Sequence, residues 1–117
     1  MAEKAILNNR KKTISQSTKR AVLEYINILK QDKLSLKEVI VFGSRAKRRT
    51  DKWSDIDLCI ISPKFKDPFK AMHYLLLKSY QVDAIIEPHP YHPKDFRNED
   101  PLVWEIKKTG IRIPCSA

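Results

Sequence analysis

Three aspartates stand where a folded core ordinarily takes apolar residues. Asp55 and Asp57 are two apart at the head of the run Ile56-Asp57-Leu58-Cys59-Ile60-Ile61, and strand alternation puts both carboxylates on one face, at the strand's edge. Asp83 lies inside Val82-Asp83-Ala84-Ile85-Ile86, which reads as another strand. If the two strands are neighbours, three carboxylates converge. Like charges that close repel and titrate upward unless cations hold them. Hard oxygen donors suit Mg²⁺ or Mn²⁺. Two such ions about 3.5–4 Å apart activate an attacking oxygen and stabilise a leaving one during in-line phosphoryl chemistry.

The complementary anion-binding part lies upstream. Gly43-Ser44 ends the β-branched run Lys37 to Phe42 and opens Ser44 to Arg49, a segment compatible with a short helix. Free N–H groups and the positive end of a helix dipole bind anions there. Glycine permits close backbone approach, Ser44 adds a hydroxyl, and Arg45, Lys47, Arg48 and Arg49 add fixed positive charge. A nucleoside triphosphate fits between Gly43-Ser44 and the aspartate pair. Each part also has a plainer reading: Asp-x-Asp as a strand-end turn, Gly-Ser as a turn, Asp83 as a core carboxylate paired with an arginine.

The elements that must position these residues follow from periodicity. Residues 1–14 read as a flexible basic arm, and 15–117 as a single domain. Ser15 or Ser17 caps a first helix whose apolar face is Val22, Tyr25, Ile26 and Leu29, ending near Gln31-Asp32. Asp67-Pro68 and Asp100-Pro101 each start a helix by cap and first-turn proline. The first of these carries Phe69, Met72 and Leu76 on its apolar face as far as Tyr80. The second carries Leu102, Val103 and Ile106 and stops at Lys107, Lys108 and Gly110. His89-Pro90-Tyr91-His92-Pro93 reads as a stiff proline-punctuated loop outside regular structure, and Ile111-Arg112-Ile113 as an edge strand. The fold class is α/β (α+β), a small mixed sheet flanked by helices.

Composition narrows the setting. Cys59 and Cys115 are too few for a disulfide framework and fit no metal-ligand spacing, so free thiols in a reducing, cytoplasmic compartment are expected. No membrane span or secretory leader is legible. The net charge of +9 lies entirely in residues 1–50, where 13 Lys and Arg meet 4 Asp and Glu. That half suits a polyanion such as a nucleotide or nucleic acid, or serves as solvated surface.

Taken together, Val41-Phe42-Gly43-Ser44-Arg45-Ala46, ten residues between Ser44 and Asp55, and Ser54-Asp55-Ile56-Asp57-Leu58 form a defined pattern. It resembles the signature of the polymerase-β-type nucleotidyltransferase superfamily, in particular its minimal MNT-type members. The tail from Asp100-Pro101-Leu102-Val103 to Gly110-Ile111 is also similar. The resemblance implies a polymerase-β-like fold and two Mg²⁺ ions, with Mn²⁺ as a substitute. It implies transfer of a nucleoside monophosphate, AMP from ATP, with loss of pyrophosphate. By position, Gly43, Ser44 and Arg45 would hold the triphosphate, Asp55 and Asp57 would bind both metals, and Asp83 would ligate the catalytic ion or act as base. The acceptor would come from outside the chain: a HEPN-type toxin protein, for which the chain is the antitoxin, acting by transfer or by occlusion alone. RNA is the remaining acceptor. Arg48 departs from the glycine frequent in that family.

Overall fold

The computed structural model describes residues 14–43, 46 and 55–115. Residues 1–13 of the expected basic arm, and Ser44, Arg45 and the other cations through Arg49, lie outside the described residues. Helix α1 spans Gln16–Gln31, β1 Glu38–Phe42, β2 Ile56–Ile61, α2 Pro68–Ser79, β3 Ile86–Tyr91, α3 Pro101–Thr109 and β4 Ile111–Ile113, with a 3-10 turn at Pro93–Asp95. The strands form one sheet in the order β3-β2-β1-β4. β1 pairs antiparallel with both β2 and β4, and β2 pairs parallel with β3 through the α2 crossover. This is the mixed α+β sheet expected from the sequence.

Helices cover both faces. On one, Val39, Val41, Ile56, Leu58, Ile60 and Ile86 pack with Val22, Tyr25, Ile26 and Leu29 of α1 and Leu75 of α2. On the other, Ile40, Phe42, Cys59 and Ile61 pack with Ile106 of α3. Burying branched side chains on both faces explains why β1 and β2 read as continuous apolar runs. Ser15 is the cap of α1, its hydroxyl accepting the Thr18 N–H at 3.2 Å. Asp67 and Asp100 cap α2 and α3 as their spacing implies.

Two local expectations change. The buried face of α2 is Ala71, Leu75 and Ser79; Phe69 is 90% exposed and Leu76 partly so. The helix is apolar on nearly every side, so periodicity cannot select a face. The choice is made by α1, whose fully buried Tyr25 donates its hydroxyl to the Leu75 carbonyl at 2.7 Å. Gly110 ends α3 at φ −75°, an ordinary angle. Its lack of a side chain matters because a Cβ there would sit 2.5 Å from Ile40 Cγ2 and from the Ile106 carbonyl oxygen.

The larger correction concerns β3. The strand begins at Ile86, after a bend over residues 82–84, and runs through Glu87-Pro88-His89-Pro90-Tyr91. Residues 89–91 of the segment read as a loop therefore belong to the strand, and of the expected strand only Ile86 does, with Val82 to Ile85 preceding it. Proline is tolerated because β3 is an edge strand. At its ends, the Ile85 carbonyl accepts from Ile56 N–H at 2.8 Å and the Tyr91 carbonyl from Ser62 N–H at 3.0 Å. The odd-numbered residues thus face β2, and Pro88 and Pro90 fall at positions whose N–H would point away from the sheet.

Tyr25→Phe removes a buried hydroxyl bond between α1 and α2. It is expected to cost about 1–2 kcal/mol of stability in urea unfolding, with an unchanged fold by circular dichroism.

Candidate functional site

The register fixes the site. Phe42 pairs with Asp57, and Asp57 with Glu87; one step along, Ile40 pairs with Cys59, and Cys59 with His89. Alternation therefore puts Asp57, Glu87 and His89 on the sheet face shared with α3, at the end where β1 turns out through Gly43. One donor atom from each of the three lies within 4.8 Å of the others. Asp57 and His89 are each one-quarter exposed in their side chains, and Glu87 is more open.

Gly43 is shaped by this cluster. It has φ +74°, a region that costs other residues strain, and a Cβ on it would collide with the Asp57 carboxylate. The cradle against Asp57 therefore exists only because residue 43 is glycine. Phe42 supports His89 from the β1 side in an edge contact, with ring centroids 4.9 Å apart at 65°.

Electrostatics mark the carboxylate pair as strained in the absence of a cation. Hydrogen bonding to Asp57, then burial and the Asp57 charge, raise the Glu87 carboxyl above its ordinary value, while His89 pulls it back. The His89 Nε2 is 3.5 Å from both Asp57 Oδ1 and Glu87 Oε1. It is a buried polar atom without a hydrogen-bond partner. Two close carboxylates, an orphaned nitrogen and a cradle that any side chain would fill suit a divalent cation.

Of the three aspartates singled out in the sequence, Asp57 is in the group. Asp55 is exposed just ahead of β2 and lines a cleft of about 380 Å³ together with Glu87, Leu76, Tyr80, Val82 and Ile85. Asp83 is exposed in the bend before β3, outside the group. Glu87 went unread and His89 was read as part of a stiff loop because two prolines argued against a strand. Their signal was the period-2 pattern Glu87-x-His89-x-Tyr91. Cys59 is fully buried and burial pushes its thiol up to about 12, in keeping with inert core filling.

The acidic strand pair thus lies beside a glycine turn in a mixed four-stranded sheet. Residues 22–111 match the nucleotidyltransferase domain family, and the chain belongs to it. No curated protein matches the sequence. Membership makes nucleotidyl transfer the general activity and a nucleotide the substrate. No helix among the described residues is long and apolar enough to cross a membrane.

Two outcomes are expected. Gly43→Ala meets both the left-handed backbone penalty of about 1–2 kcal/mol and the collision with Asp57, so both the thermal midpoint and nucleotidyl transfer fall. Glu87→Gln raises the melting temperature of the metal-free protein at pH 7. A raised carboxyl favours folding below its unfolded pKa of about 4.3 and loses that contribution as pH rises through the folded value. The variant's advantage therefore disappears in acid, as melts across pH 4–8 will record.

Proposed function

We propose that the protein transfers a nucleoside monophosphate, AMP from ATP, to a hydroxyl on a partner protein. The observation that carries this reading is the Asp57–Glu87 carboxylate pair beside the Gly43 turn, in a chain of the nucleotidyltransferase domain family. Asp57 and Glu87 would hold a divalent cation, Mg²⁺ by the resemblance, with Asp55 as the further oxygen donor the family pattern implies. When bound, such a cation neutralises triphosphate charge and eases departure of pyrophosphate. Gly43 gives the triphosphate close access to the backbone, and Ser44 and Arg45 are its expected further contacts. Glu87, rather than Asp83, is the third acidic residue of this reading.

The acceptor side is the cleft lined by Asp55, Leu76, Tyr80, Val82, Ile85 and Glu87. Its apolar wall suits an aromatic or aliphatic side chain bearing a hydroxyl, and its acidic rim directs that hydroxyl toward the cation group. Tyr80 in that wall is exposed, as are Phe69 and Leu77 on α2, which favours a protein acceptor over RNA. A HEPN-type toxin is the partner the resemblance implies, with the chain acting as its antitoxin. The same exposed side chains favour a second reading, in which binding alone occludes the partner.

Incubation with α-labelled ATP, Mg²⁺ and the candidate partner separates these. Label is expected on the partner protein. Asp57→Asn and Glu87→Gln should lower the rate by about a thousandfold, the loss of several kcal/mol of charge stabilisation, whereas Asp83→Asn leaves it within threefold, about 0.7 kcal/mol. Stoichiometric binding without transfer would establish occlusion, and label on RNA would overturn the protein acceptor.

A further inference from the structure

His89 is the nitrogen donor of the cluster, anticipated by the family resemblance no more than Glu87 was, and its geometry is specific. The Nε2 is equidistant, at 3.5 Å, from one oxygen of Asp57 and one of Glu87. That is long for a hydrogen bond, and the buried nitrogen makes none. Donors about 2.1 Å from a common octahedral cation lie about 3.0 Å apart at right angles, so an ion entering the group needs to draw its donors together by only about 0.5 Å. The ring is held at this place by the edge contact with Phe42 and by a backbone paired with Cys59 in β2. Pro88 and Pro90 on either side restrict the backbone further.

We propose that His89 is a direct nitrogen ligand of the cation bound by Asp57 and Glu87, and that it sets the preference of the site for a first-row transition ion such as Mn²⁺ over Mg²⁺. This rests on the reading of Asp57 and Glu87 as cation ligands given above. An all-oxygen set suits Mg²⁺, whereas imidazole nitrogen adds affinity for transition ions and little for Mg²⁺. The donor set is then two carboxylates and one imidazole, with the remaining positions left to water and substrate oxygens.

The test uses the full chain, with Mn²⁺ and Mg²⁺ as probes. Pulsed electron paramagnetic resonance of bound Mn²⁺ is expected to carry ¹⁴N coupling from a coordinated imidazole in the wild type and to lose it in His89→Gln. Mn²⁺ affinity should fall at least tenfold in that variant, since losing a direct ligand costs no less than losing a contact that orients one, while Mg²⁺ affinity in competition changes less than threefold. The metal-free variant should keep its fold by circular dichroism, because the change removes only the Phe42 edge contact and two long approaches to carboxylates. Mn²⁺ bound in an Asp57-dependent way without ¹⁴N coupling would overturn the role of His89 and leave the carboxylate reading standing. An unchanged Mn²⁺ to Mg²⁺ ratio in His89→Gln would do the same. No Mn²⁺ binding at all, with or without ATP, would overturn both.

Discussion

Asp57 and Glu87 are held side by side because β2 and β3 run parallel in a register that pairs their backbones. Neither residue can leave without breaking the ladder, so their mutual repulsion is built into the fold. Hydrogen bonding and charge from Asp57 raise the Glu87 carboxyl, and relief comes from a proton or a cation. Much of the surrounding structure accommodates that pair. Gly43 leaves room for the Asp57 carboxylate, Phe42 backs His89, and the helices bury the apolar residues that keep the strands in register.

The edge position of β3 explains its unusual composition. An exposed edge strand is a template for unwanted pairing, and two prolines on its outward-facing positions remove the donors that such pairing needs. The inward-facing positions between them are free to carry Glu87, His89 and Tyr91. Protection of the edge and construction of the site thus use alternate residues of one six-residue strand. The α2 crossover delivers the chain to this edge, and its packing is fixed by Tyr25 reaching Leu75. Its other sides stay exposed beside the cleft.

Much of this was legible from the chain alone. Caps at Asp67 and Asp100, the apolar face of α1, the β1 and β2 runs and the Gly-Ser to Asp-x-Asp spacing all rest on local rules, in which a residue's neighbours in sequence decide its state. The family followed from that spacing. The buried face of α2 was not legible, because seven of its twelve residues are apolar or aromatic and only the neighbouring helix selects among them. The placement of Glu87 opposite Asp57 was not legible either. Val82 to Ile86 has the better strand composition, while Glu87-Pro88-His89-Pro90 contains the residue least suited to a sheet.

The sequence by itself determined the elements, the glycine turn and Asp57, because capping, periodicity and left-handed backbone are properties of short segments. Tertiary structure alone decided that β3 lies at the edge, where proline loses nothing. That choice put Glu87 opposite Asp57 and His89 within reach of both, since which residues face one another across a parallel pair depends on register, and register is set by the packing of the whole sheet.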